Sequence, residues 1–383
     1  MKKILEKPAY VFEPSSYEQI LIDLARRHGG WINAHTHLDR ADTLGANFWV
    51  HAGIDPLEAA TLPLSVKQNL TGELHKGLAY TKESLKERME KQLLQMIANG
   101  TKEVVSLIDA TPDIGMVAID TALALKKKYK GQIDFKIGPQ PIFGFKQEKS
   151  ERWDFFKSAA QVSDVLGSLP EKDDAPNKIG YDEHLKLVLK LGIELGKEVH
   201  IHVDQANNPS ENGTETLVEA VRWLGSPKIK DSTEPGVWAV HAISPSCYDE
   251  YRFKKLLDNL KRYNIGIICC PRAALSMRQI RPIEGPLHNS IARLLEMIKW
   301  EIPVRLGTDN IADIFIPSGS NNMLNEIGYL SDSLRYYLTK LWVKIACGET
   351  PNDMDRASIS RALYEDSKVF REYRPDFPRI DIG

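Results

Sequence analysis

Short apolar runs of β type alternate along this chain with longer stretches whose apolar residues recur every three or four positions. The runs predict strands at 32–38, 103–109, 134–142, 163–169, 198–204, 237–243, 265–270 and 303–308. The stretches predict helices at 83–99, 114–129, 181–195, 214–224, 248–263 and 291–300. Strands alternating with helices in this number predict an α/β fold, a (β/α)8 barrel of the TIM type. It would form a single domain over residues 1–383, with 1–30 as an N-terminal extension and 373–383 as a polar tail. A doubly wound open sheet fits less well, because no Gly-rich phosphate loop follows an early strand. Two segments, 41–81 and 275–290, exceed ordinary loop length. Each follows a predicted strand, which places it on the active face of a barrel as a candidate lid or substrate wall.

Composition narrows the class. Of 383 residues, 42% are hydrophobic and 27% charged, as in an ordinary globular protein. The formal net charge of −2 gives no electrostatic case for nucleic acid or an anionic membrane. The basic start at Lys2 and Lys3 is interrupted by Glu6 and Lys7 before any signal-peptide core, and no run is long enough to span a bilayer. The expected location is cytoplasmic. Cys247, Cys269, Cys270 and Cys347 lack C-x-x-C spacing, so they read as buried thiols in a reducing compartment rather than metal ligands.

Four segments carry the chemistry: Trp31-Ile-Asn-Ala-His-Thr-His-Leu-Asp39, His200-Ile-His-Val-Asp-Gln205, Ala239-Val-His-Ala242 and Leu306-Gly-Thr-Asp-Asn310. Each is an apolar run that ends in His or Asp. His35 and His37 lie two apart on a strand, so both leave the same face. His200 and His202 repeat that spacing. His202, nearer the strand end, should face the site, while His200 should be a hydrogen-bonded core residue. His241 ends the sixth strand and Asp309 the eighth. Imidazole and carboxylate groups arriving on separate strand ends can build an open metal site that activates water.

These residues resemble the amidohydrolase superfamily, and within it the cytosine deaminase-like branch, from about residue 31 to 345. His35-Thr-His37-Leu-Asp39 is similar to the first-strand motif. Gln95-Met-Ile-Ala-Asn-Gly100 resembles the helix before the second strand, and Gly138-Pro-Gln140 a third-strand Pro-Gln. His202-x-Asp204, His241 and Gly307-Thr-Asp309 with Asn322-Met-Leu324 resemble the later motifs. The resemblance implies one divalent metal held by His35, His37, His202 and Asp309. The family's usual metal is zinc, with iron or manganese also used. It further implies that Asp309 serves as base, that His241 helps at the water or substrate, and that Gln140 faces the substrate. Lys172 is the nearest candidate for the bridging lysine of binuclear relatives, but it lies beyond Pro170 and reads as loop.

Two departures stand out. The deaminases of the branch carry His-x-x-Glu on the fifth strand, and here that Glu position is Gln205. A carboxamide hydrogen-bonds but does not exchange protons near neutral pH. C–N hydrolysis of a small, cyclic nitrogenous compound, with Asp309 moving the proton and Gln205 holding substrate, is the first reading. Deamination through another acid, such as Glu171, Glu211 or Asp204, is the second, and a non-catalytic binding barrel the third. The other departure is architectural: with 34 residues before His35 and no alternating strands after Ala362, no β-sandwich is expected beside the barrel. Trp49, Gln140 and Asn310 are the expected substrate contacts, and Arg272 or Arg278 could meet a carboxylate. The expected partner is a small-molecule substrate, with a homo-oligomer as an open possibility.

Overall fold

A computed structural model describes residues 14–277 and 289–373. Eight strands run β1 Trp31–Thr36, β2 Thr101–Asp109, β3 Asp134–Gln140, β4 Leu166–Ser168, β5 Val199–Val203, β6 Val237–His241, β7 Ile265–Cys269 and β8 Val304–Leu306. All eight fall where the hydrophobic pattern puts them. They pair in parallel in chain order, as one arc β1–β2–β3 and a second arc β4 to β8. Backbone hydrogen bonds join the arcs. Asp164 and Val165 donate to the Ile137 carbonyl at 2.8 and 3.2 Å, and Asp309 donates to the His35 carbonyl at 2.9 Å. The result is a (β/α)8 barrel, and among the described residues no strand lies outside it.

The outer helices bury apolar stripes on the strands. Helix Glu250–Arg262 shows the logic: Asp249 caps its first turn by accepting from the Arg252 N–H, and Phe253, Leu256, Leu257 and Leu260 face inward at three- and four-residue spacing. Helix Glu151–Val162, which the sequence-based expectations omit, does the same with Trp153, Phe156, Ala159 and Ala160. No helix among the described residues is long and apolar enough to cross a membrane. Segment 41–81 folds into short helices, the longest being Leu64–Lys76. Of segment 275–290, residues 278–288, Arg278 among them, lie outside the described residues, as do 1–13 and 374–383.

The seam between β8 and β1 explains the Gly-Thr-Asp motif. A Cβ on Gly307 would sit 2.8 Å from the His35 backbone, so only glycine lets the strands meet there. Thr308 then locks onto Asn33 through two bonds, Asn33 Nδ2 to Thr308 Oγ1 at 2.8 Å and Thr308 N to Asn33 Oδ1 at 3.1 Å. Asp309 follows in the left-handed region (φ 59°), its carbonyl accepting from Thr36 Oγ1 at 2.8 Å. That turn takes the chain off the strand and brings the Asp309 carboxylate over the histidines of β1.

Candidate metal centre and pocket

Four strand ends converge at the C-terminal mouth of the barrel. His35 lies on β1 with His37 just beyond it, His202 on β5, His241 at the end of β6, and Asp309 beyond β8. All are buried. Ligand atoms of His35, His37 and His202 lie within 4.8 Å of one another, and so do those of His35, His241 and Asp309. Asp309 Oδ1 is 3.6 Å from His35 Nε2 and 3.4 Å from His37 Nε2, while its Oδ2 is 3.8 Å from His241 Nε2.

The ring orientations are set from behind. His37 Nδ1 donates to the Leu107 carbonyl at 3.0 Å and His202 Nδ1 to the Ser168 carbonyl at 3.1 Å, which leaves each Nε2 as a lone-pair donor toward the centre. His35 is fully buried, and among the described residues neither of its ring nitrogens meets a hydrogen-bond partner. An imidazole so placed loses the hydration of both nitrogens unless a further group meets it. Burial holds His35, His37 and His202 well below the usual imidazole range, and brings His241 down to about 4. Neutral imidazoles converging with one carboxylate suit a divalent ion. His241, at φ 76°, joins the centre from a strained backbone, as catalytic and binding residues often do.

A pocket opens above this centre, lined by His37, His202, His241, Asp309, Gln140, Gln205 and Asn310 among others. Gln140 ends β3 with its Oε1 buried and without a hydrogen-bond partner among the described residues, against the space that a side chain at Gly167 would fill. Asn310 donates to Asp313 Oδ2 at 2.5 Å. Trp49 does not reach the pocket. Its indole N–H donates to the Thr43 carbonyl at 2.7 Å, and the ring is fully buried in an apolar cluster with Leu38, Tyr80 and Leu85. The long excursion thus has a core of its own, and an aromatic residue within it belongs to that core. His200 points away from the centre and bonds Glu198 at 3.2 Å.

Other expected contributors are spoken for. Asp204 accepts from the Gly213 and Thr214 backbones and the Thr214 hydroxyl, capping helix Gly213–Leu224. Glu211 bonds Ser244 and the Ala206 N–H. Lys172 reaches Asn69 Oδ1 at 3.0 Å, and Arg272 holds the Ser318 carbonyl and the Tyr329 hydroxyl. Neither Lys172 nor Arg272 lines this pocket.

Glu171 stands behind Gln205. Gln205 Nε2 donates to Glu171 Oε2 at 3.0 Å, and Gln68 Nε2 to Glu171 Oε1 at 2.6 Å. Both amides line the pocket, with their nitrogens turned back to the carboxylate. Burial pushes the Glu171 carboxyl up, and the two amides work against that shift.

No family model matches the chain. An uncharacterized protein of Haemophilus influenzae is 28% identical over 284 residues, which cover 74% of this chain and 95% of that protein. In structure, the chain is similar to 5-methylcytosine deaminase from Klebsiella pneumoniae liganded with 5-fluorocytosine, with a TM-score of 0.68 at 22% identity over 87% of this chain and 82% of that one. The chain shares the (β/α)8 barrel fold of that protein. N-isopropylammelide isopropylaminohydrolase from Burkholderia multivorans shares it (TM-score 0.62, 17% identity, 83% of this chain and 74% of that one). Guanine deaminase from C. acetobutylicum with bound guanine does too (TM-score 0.54, 14% identity, 86% and 73%).

Sequence reasoning missed Arg40, Lys67 and Gln68, which also line the pocket. The helix Leu64–Lys76 buries Lys67, Gln68, Thr71 and His75, a polar stripe at helical spacing. A stripe of that kind reads as solvated surface unless the helix is known to lie across a site.

Proposed function

We propose that this protein is a hydrolase that uses one divalent metal ion to cleave a carbon–nitrogen bond, other than a peptide bond, in a small cyclic nitrogenous compound. The observation that carries the reading is His35: fully buried, with both ring nitrogens unpartnered among the described residues, inside a cluster that includes His37, His202 and Asp309. Those four residues would hold the ion, and zinc suits their mixture of imidazole and carboxylate, as do iron and manganese. A divalent ion bound there lowers the pKa of water and so supplies hydroxide near neutral pH.

The chain's own groups supply the rest. Asp309 accepts the proton of the attacking water and returns it to the departing nitrogen. His241, neutral and 3.8 Å from Asp309, donates a hydrogen bond to the oxygen that gains charge as the carbonyl carbon becomes tetrahedral. Gln140, Gln205 and Asn310 hold the polar edge of the ring. Gln205 is tied to Glu171 and does not exchange a proton, which favours an amide or lactam over an aminopyrimidine whose ring nitrogen must be protonated.

Deamination with Glu171 as the acid is the second reading, supported by the raised pKa of a carboxyl one hydrogen bond behind Gln205. Zinc-loaded enzyme incubated with a panel of aminopyrimidines, aminotriazines, lactams and cyclic imides separates the two. Ring opening without ammonia is expected. Ammonia from an amino-substituted ring would establish the second reading, and no turnover anywhere in the panel would count against both.

A further inference from the structure

One end of the pocket is cationic. Arg40 lines it and is only 2% exposed, yet its Nε and Nη1 have no hydrogen-bond partner among the described residues. The nearest carboxylate, Asp109, stands 3.9 Å from Nε, and that oxygen is already engaged by Tyr80 and His75. Lys67 lines the same end, is 8% exposed, and donates to the Phe315 carbonyl at 3.1 Å. Both cations lie over the Phe315 ring, at 5.0 and 5.8 Å from its centroid. Among the described lining residues Asp309 is the only carboxylate, and it belongs to the metal centre. Glu171, which accepts from the amides of Gln68 and Gln205, lines with Glu211 the adjoining cavity rather than this one.

The charges of Asp109, Asp39 and Asp313 hold the guanidinium in its charged form, but its buried Nε and Nη1 make no hydrogen bond to them, and a ligand oxygen would supply one. We propose that the substrate carries an anionic oxygen, as a ring carboxylate or an ionised imide oxygen, which Arg40 and Lys67 bind while the scissile C–N bond faces Asp309. The proposal rests on the pocket being the active site and adds the charge of its substrate. Phe315 beneath the two cations gives the ring-side face, and the planar guanidinium suits an oxygen at the edge of a planar ring.

The test uses three ring compounds of similar size: uracil, which is neutral; orotate, which adds a carboxylate; and barbiturate, whose acidic imide ionises. Binding to zinc-loaded enzyme is measured by calorimetry at neutral pH, with no turnover needed. Orotate, barbiturate or both should bind about 10–100-fold more tightly than uracil. The advantage should vanish in Arg40→Met and fall in Lys67→Met, with zinc content unchanged. Lys67 lies on a separate helix, so its variant keeps the question open to measurement if Arg40→Met does not fold. A preference preserved in both variants would overturn the proposal, as would uracil binding as tightly as the two anions. Anion-selective binding without hydrolysis of any substrate would instead tell against the hydrolase reading and leave the cationic subsite standing.

Discussion

Replacing Asp309 with asparagine should lower kcat by about 10²–10⁴-fold, the usual cost of removing a general acid–base group. Asparagine keeps the size, and the backbone bonds at this position, to the His35 carbonyl and from the Thr36 hydroxyl, do not involve the side chain. What goes is the proton-accepting carboxylate, whose two oxygens lie 3.4–3.8 Å from three histidines. Because the same carboxylate is a proposed ligand, rates must be expressed per mole of bound metal. A large fall in kcat at full metal occupancy assigns the loss to proton transfer. A fall that tracks metal content alone would make Asp309 a ligand and nothing more, and unchanged kcat would remove it from the mechanism.

Substituting Asp109 by alanine should destabilise the fold by about 3–5 kcal/mol, the range for leaving a buried charge without its partner. Asp109 is fully buried beneath the mouth of the barrel, where it meets Tyr80 Oη at 2.8 Å, His75 Nε2 at 3.2 Å and Arg40 Nε at 3.9 Å. Tyr80 also lies 2.8 Å from Asp39, and a phenol has one hydrogen to give. The second contact is satisfied when Asp39 carries a proton; burial and the charge of Asp109 push that carboxyl up to about 6. Burial works against a charged His75, but hydrogen bonds to Asp109 and Asp113 outweigh it and raise the imidazole to about 9. A raised imidazole adds stability in full below its unfolded pKa near 6.5, and that stability is lost as pH rises through about 9. Urea unfolding across this window should show wild-type stability falling, with a shallower fall in Asp109→Ala. Equal stability of the two proteins at pH 6 would contradict this account of the network.

The sequence was legible where one side chain answers to one periodicity. All eight strands followed from apolar runs, and the candidate centre followed from His or Asp at the ends of β1, β5, β6 and β8. Asn33 and Gly307 show why those ends could be trusted: the strand seam itself fixes where Asp309 must sit. Legibility failed where a residue's role depends on what crosses above it. Trp49 was expected at the substrate and instead fills a local core, because its N–H finds the Thr43 carbonyl six residues away. Arg40, Lys67 and Gln68 looked like ordinary polar positions, and only the helix folded over the barrel mouth makes them walls of a pocket. Gln205 was legible as a departure but not as an arrangement. Its tie to Glu171 joins the ends of β4 and β5, which no spacing in the chain reveals.

The most direct test is the metal content of the purified protein, with its His35→Ala and His202→Ala variants, after zinc loading and exhaustive dialysis. About one equivalent of zinc is expected in the wild type, as in a single site with three imidazoles and one carboxylate. Each variant should lose most of it while keeping the circular dichroism of the folded chain. A wild type that retains no metal, or variants that retain as much as the wild type, would contradict a metal centre at these strand ends.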